Sequence, residues 1–533
     1  MRRTACLVVA TALAALAAGR AVPAPSPSRL VMAIPQDPGS PLNLYVTSHS
    51  RFDALLDLVY DKLFAPSPYM DEPIPWLAES AQPVDPWTWV VRLRSGIRWH
   101  DGRPFSAEDV RFTFTYYRDG PQNRHSHHVS EVPHIKDVVA TDPRTVRFVC
   151  AYPCPTLRRI TLADLPILPR HVWEGIPDPR AFSGLPVGTG PYRLVEYRTG
   201  HGLRFVANPA YFRGRPRVAE LVVPVIPEPA TTFGALRRGE VHAAARPVPP
   251  ELLQAIGNSS VVRVVRTRSL TLAELRLNFE RWPLDDPAVR RALSLAIDRE
   301  SLVRIVLLGR GRPGTRGYPH PDSPWTNPAL RTPYRPGAAR RLLEERGFLD
   351  RDGDGVRESP DRRPLRFVVK VPSNEPVLVR AAELVGQQLQ RVGIRAAVQA
   401  LDPGAVAALF RTRDFDLVLD IATPHAVADP DQFVMSHRSG YLWRKGLPYP
   451  EMDTLVDAWM AARTVEGRKR VLFQMQELFN RQPTSIALWY PDEFWAFRRD
   501  AYDGWAASPG YGIFHKFSLL APSVRAGTVL EGR

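Results

Sequence analysis

Proline occupies 54 of the 533 positions, about twice its usual share. Each one removes a backbone donor and holds φ at about −65°, so it interrupts helices and is confined to turns, edges and first helical turns. A bundle of long helices is therefore excluded, and short strands and helices joined by extended connections remain. The length has room for two to four compact units at about 100–200 residues each. A composition of 44% apolar and 23% charged residues is that of a folded soluble chain, not of a disordered or polytopic membrane protein.

The formal net charge is +15. The basic residues are scattered, with no run of five or six, so a nucleic-acid partner is not expected; a balance of this kind bears on solubility and steering. Arg2 and Arg3 precede an apolar stretch from Ala5 to Ala18 broken only by Thr11, and Gly19-Arg20-Ala21 puts small residues at the −3 and −1 positions of a cleavage site. This is the pattern of a secretory signal peptide over residues 1–21, and the run is too short to span a bilayer comfortably. No cysteine stands at the cleavage point. The expectation is thus a periplasmic protein, soluble and without a lipid anchor. The mature chain keeps Cys150 and Cys154. Export permits a disulfide between them if their Cα atoms approach within about 7 Å; two semi-buried thiols are the other reading.

Residues 22–28 form a Pro/Ser/Ala tether, and Leu30 to Ile34 reads as a buried strand. Leu55, Leu58, Val59 and Leu63 have helical spacing, whereas Trp89, Val91 and Leu93 alternate as in a strand. Ser106 with Asp109 resembles a capping box. Asp286-Pro287 places a cap and a first-turn proline before a helix from Ala288 to Ile297. The clearest unit is strand Leu365 to Val371, amphipathic helix Glu375 to Val392, a stop at Gly393, then strand Ile394 to Leu401. That order predicts a parallel pair with a right-handed crossover.

The run from Leu93 to Phe114 (LRSGIRWHDGRPFSAEDVRFTF) is followed in order by GTGPY at Gly188–Tyr192, NPAYF at Asn208–Phe212, GEV at Gly239–Val241 and Leu277-Asn278. Then come VRRAL at Val289–Leu293 with AID at Ala296–Asp298, Ala339 to Gly347, and Asp429-Pro430. Together these segments resemble the family 5 extracellular solute-binding proteins, the oligopeptide-, dipeptide- and nickel-type receptors of ABC importers, over nearly the whole mature chain. The resemblance implies an α/β fold: the two-lobed periplasmic binding protein architecture of cluster C type, with an extra small lobe inserted in the first. On that plan lobe I is 22–72 with 187–275 and 493–533, the inserted lobe is 73–186 and lobe II is 276–492. The implied function is capture, not enzymatic chemistry. A monomer would hold an oligopeptide or dipeptide in the interlobe cleft and present it to the permease subunits; a sugar, an opine or a metal chelate is the alternative. No cofactor is implied.

Peptide receptors of this family hold the ligand's amine with an aspartate three residues before an Asp-Pro pair. Ala426 stands at that position here, and Thr423 where a tryptophan is usual. A buried ammonium without a counter-charge costs several kcal/mol, so dependence on a free peptide amine should be weak. The candidate ligand contacts are Gln36 after the first strand, Asn278 after a strand at the expected hinge, His425 and Ala426 in the Asp-Pro loop, and Trp489 and Tyr490, at a place that lines the cleft in relatives. Core packing competes for the two aromatics, and a backbone-bonded loop histidine for His425. His125, His127 and His128 read as a solvated loop.

Asp350, Asp352, Asp354 and Asp361, with Gly355 and Glu358, match the spacing of an EF-hand calcium loop. Asp replaces Glu at the last position, Arg362-Arg363 opposes a cation, and Pro360 and Pro364 forbid the following helix. Structural calcium and an acidic hairpin turn are both compatible with these residues. Elsewhere the motifs read structurally: Gly96 and Asp101-Gly102 suit turns, and Trp99 and Phe105 suit the core. Gly188-x-Gly190 is weak evidence for a phosphate site, and Gly309 to Thr315 lacks the lysine of a P-loop. No G-x-S-x-G or H-E-x-x-H is present.

Overall fold

The computed structural model describes residues 27–521 except 48–51, 66–71, 124, 131–133, 270, 316–318, 322, 332, 423–429, 431–432, 435–436, 440–448 and 508–511. Among these residues, twelve strands join in one sheet that runs through both lobes, and four more form a separate sheet in the insertion. In lobe I the strand Arg29–Ala33 lies parallel between Glu220–Pro224 and Ala243–Ala244. Antiparallel strands Gly202–Ala207 and Tyr192–Arg198 extend one side.

Lobe II is built on the unit that the sequence predicts. Strands Arg366–Pro372 and Arg395–Leu401 pair in parallel, with helix Pro376–Gln390 as the crossover and Leu417–Ala422 parallel on the other side. Gly393 turns the chain back at φ 83°, a conformation that is costly for other residues. Leu378, Ala382, Val385 and Leu389 of the helix bury against Phe367, Val369 and Val371, each large aliphatic contributing about 1.5–3 kcal/mol. Asp286 Oδ1 accepts the Ala288 N–H at 2.8 Å and starts helix Pro287–Ala296. Arg290 of the Val289–Asp298 motif and Arg299 just after it are buried, and their guanidinium groups donate to carbonyls: Arg290 to Pro483 and Leu284, Arg299 to Ala487 and Ser294. This motif therefore holds lobe II together.

The lobes share one strand. Ser485–Arg498 pairs through its first half with Leu272–Leu277 of lobe II and through its second half with Val262–Arg268 of lobe I. The chain thus crosses twice, side by side: between Arg268 and Leu272, and around Tyr490–Asp492. The expected end of lobe I at residue 275 falls inside a strand whose six residues all pair with Leu417–Ala422. A strand's alternation does not reveal which neighbour it has, so the pattern could not locate the crossing.

The insertion carries the antiparallel sheet Ala78–Pro83, Thr88–Leu93, Thr145–Cys150, Ile135–Asp142, with helix Ala107–Asp119 packed on it through Phe114 against Phe148. The Asp109 carboxylate accepts the Ser106 N–H at 2.9 Å, closing the capping box. Cys150 and Cys154 are disulfide-bonded with Cα atoms 6.4 Å apart. His125 is buried, its Nδ1 3.3 Å from Asp164, so the solvated-loop reading does not hold for it.

At the seam between insertion and lobe I, His100 Nδ1 accepts the Gly188 N–H (3.2 Å), so Nε2 carries the proton and donates to Gly190 O (2.9 Å). Burial pushes the imidazole down to about 4. The neutral ring is favoured in the fold, whereas the unfolded chain takes up a proton below about 6.5. Stability from this group is therefore complete above pH 6.5 and is lost as pH falls toward 4, by on the order of 3 kcal/mol. Urea midpoints measured from pH 7 to pH 4 should fall less steeply in His100→Gln than in the wild type; equal slopes would contradict this.

Candidate functional site

Both lobes turn the carboxyl ends of their parallel strands toward the crossings. Ala422, which ends a lobe II strand, pairs with Leu272 just past the first crossing, and lobe I's Val248 N–H donates to Phe494 O (2.6 Å) just past the second. In open α/β sheets ligands bind at that end of the strands. A crevice of about 370 Å³ lies there, lined by Arg266, Thr267 and Ser269 of lobe I, by Arg312, His320 and Tyr490 of lobe II, and by Pro491 and Asp492 of the crossing.

Side chains pin the strands on the lobe I side of this crossing. The Ser269 hydroxyl donates to Glu493 Oε1 at 2.7 Å, and Trp495 Nε1 donates to Thr267 Oγ1 at 3.1 Å. Arg266 pairs with Asp492 at 2.7 Å, an exposed bridge worth about 1 kcal/mol or less. On the lobe II side, Gly311–Pro313 adds a short strand against Trp489–Pro491. The segment without a P-loop lysine therefore supports the crossing. The Tyr490 hydroxyl donates to Pro319 O at 3.2 Å and lies 3.1 Å from Thr315 Oγ1, while the His320 ring meets its edge at 5.0 Å.

Of the residues nominated from sequence, Tyr490 lines the crevice, though it is nearly fully buried. Gln36 is exposed, three residues past the carboxyl end of Arg29–Ala33. Two expectations need correction. Trp489 is part of the lobe II core with Leu275, Leu419 and Leu488 and is 2% exposed, because its side chain points to the opposite face of the strand from Tyr490. Asn278 lies at the far end of Leu272–Leu277 from the crossing, where its carboxamide donates to Arg413 O (3.0 Å) and Phe415 O (2.7 Å). It ties strand ends together away from the cleft. His425 and Ala426 lie outside the described residues. The other crevice residues, Arg266, Thr267, Ser269, Arg312, His320 and Asp492, were not anticipated. They are isolated polar residues in separate segments, and only the proximity of Asp492 to Tyr490 could have marked one of them.

Asp350, Asp352, Asp354 and Glu358 bring carboxylate oxygens within 4.8 Å of one another, far from the crevice in the chain. Asp361 is not in this group: its carboxylate accepts the Ser359 hydroxyl, just before a reversal at Arg362, φ 64°. The carboxylates that do gather accept the loop's own N–H groups, Asp350 from Gly353 and Gly355, Asp354 from Val356, Glu358 from Arg351. This is the bonding of an acidic turn.

Residues 72–443 match the family described as bacterial extracellular solute-binding proteins, family 5 Middle. The chain belongs to that family. A di/tripeptide-binding protein of Pseudomonas aeruginosa is 28% identical over 419 residues, covering 74% of this chain and 75% of the relative. Among solved structures of the fold, the oligopeptide-binding protein AppA of Bacillus subtilis, in complex with a nonapeptide, superimposes with a TM-score of 0.76 at 22% identity, over 93% of this chain and 99% of that one. NikZ of Campylobacter jejuni, in complex with Ni(L-His), gives a TM-score of 0.77 at 25% identity, over 89% and 94%. Family membership makes solute binding the activity of this architecture, in two α/β lobes with a smaller inserted one. Among the described residues no helix is long and apolar enough to cross a membrane.

Proposed function

We propose that this chain is an exported solute-binding protein that captures an oligopeptide or dipeptide between its lobes and delivers it unchanged to the permease of an ABC importer. Residues 1–21 act as the export signal, and the mature chain works as a periplasmic monomer without a lipid anchor. The observation that carries the reading is the pair of side-by-side crossings with a polar crevice beside them. Two lobes joined by so few residues rotate about that joint. Closure over a solute excludes water and leaves backbone groups and a few fixed polar side chains to orient it. The crevice hydroxyls are held in structural bonds, Ser269 to Glu493 and Tyr490 to Pro319, which favours binding without turnover. The nickel–histidine complex of the Campylobacter relative supports a metal chelate as the second reading.

Calorimetric titration with dipeptides, tripeptides, longer peptides and nickel–histidine tests this. Peptides should bind and be recovered intact by mass spectrometry; cleaved peptides would point to a hydrolase, and binding of nickel–histidine alone to the second reading. Because Ala426 replaces the amine-binding aspartate, N-acetylation should weaken peptide binding by less than about tenfold, or 1.4 kcal/mol. Abolished binding would refute that assignment.

A further inference from the structure

Among the described residues, a buried cation joins lobe II to the inserted lobe away from the crossing strands. Arg468 belongs to helix Val465–Arg481 and is fully buried. Its Nη1 donates to Thr156 Oγ1 at 2.5 Å and its Nη2 to Pro153 O at 2.9 Å, both in the insertion, while its guanidinium lies 5.0 Å over the Trp459 ring of its own lobe. The receiving side is a constrained loop. The Cys150–Cys154 disulfide closes the segment that presents Pro153, and the Cys150 and Cys154 N–H groups donate to Trp87 O and Pro86 O at 2.9 Å. The same strand start offers the Trp87 ring to Arg463, 5.4 Å from its centroid. Two arginines at the amino-terminal end of one lobe II helix thus engage one loop pair of the insertion, and none of these residues belongs to the crossing.

We infer that Arg468 is a latch that fastens lobe II to the disulfide-closed loop of the inserted lobe and holds the cleft shut from a point separate from the hinge. Opening about the crossings pulls Arg468 from Thr156 and Pro153. Hydrogen bonds to a charged group are the stronger kind, and a planar guanidinium fits two acceptors at once where an ammonium does not. The latch therefore slows opening and the escape of a captured solute. Only this last consequence rests on the proposed function.

The test uses the mature full-length chain carrying spin labels at the exposed positions Gln82 and Arg470, through Gln82→Cys and Arg470→Cys. In Arg468→Ala without added solute, the interlobe distance distribution should shift to longer values than in the wild type, with Arg468→Lys between them. Release of a bound peptide should be about tenfold faster in Arg468→Ala. Thr156→Val, which removes one acceptor and keeps the arginine, should shift distance and release the same way to a smaller degree, and it decides the matter if Arg468→Ala does not fold. Unchanged distance distributions in the folded variants would overturn the latch. A wild type that binds no peptide or chelate would instead overturn the proposed function and leave the distance test standing.

Discussion

Gly188→Ala should leave little or no soluble folded protein. A Cβ at this position would lie 1.8 Å from Val59 O and 2.6 Å from Val59 C, and neither backbone atom can rotate away. The same glycine exchanges two hydrogen bonds with His100, and Gly190 N–H donates to Val59 O at 2.8 Å. The chain returns from the insertion here, pressed flat against the end of helix Asp53–Val59. Inserting a methyl forces backbone shifts that cost about 3 kcal/mol or more. Gly96→Ala is the control. It has a positive φ of 74° but open space around it, so it should cost only roughly 1–2 kcal/mol. Denaturant midpoints compare the two. If Gly188→Ala is no worse than Gly96→Ala, close packing is not why the G-x-G pair is there.

Asp61→Ala should be the second severe loss, about 3–5 kcal/mol. Asp61 is fully buried and accepts from Trp76 Nε1 (2.7 Å), Lys516 Nζ (2.9 Å), Tyr211 OH (3.1 Å) and Thr189 Oγ1 (3.1 Å). One carboxylate thereby ties the end of the first helical segment to the start of the insertion, to its return, and to the carboxyl-terminal segment. Lys516 also lies 4.6 Å over the Trp76 ring and is 2% exposed. Removing the acid leaves an ammonium buried without its counter-charge, whereas replacing both charges with apolar groups of similar volume removes that penalty. Asp61→Leu with Lys516→Met should therefore recover much of the stability lost in Asp61→Ala, as read from melting temperatures. A double variant as unstable as the single one would show that the ion pair is not the source of the loss.

What the sequence made legible follows from range. The strand–helix–strand unit of lobe II, the Asp286 cap and the Ser106–Asp109 box depend on residues a few positions apart, and they appear where periodicity and capping chemistry put them. The crevice depends on contacts between segments such as 266–269, 312–320 and 490–492, which no local pattern links. Trp489 shows the limit well. An aromatic at the end of an apolar strand is compatible with either face, and one residue of register separates the core from the cleft. Asn278 fails for a related reason, since its strand was placed correctly but the end of it that meets the other lobe was not. Asp61, Lys516 and Arg468 carried no signal in the sequence at all, because a lone charge reads as surface until its partner is known.

On the proposed function, a captured solute brings the two lobes together about the crossings beside Ser269 and Tyr490–Asp492. Small-angle scattering of the mature protein, with and without a saturating peptide identified by calorimetry, measures this directly. The radius of gyration should be smaller with peptide bound. Superimposable profiles at saturation would contradict it.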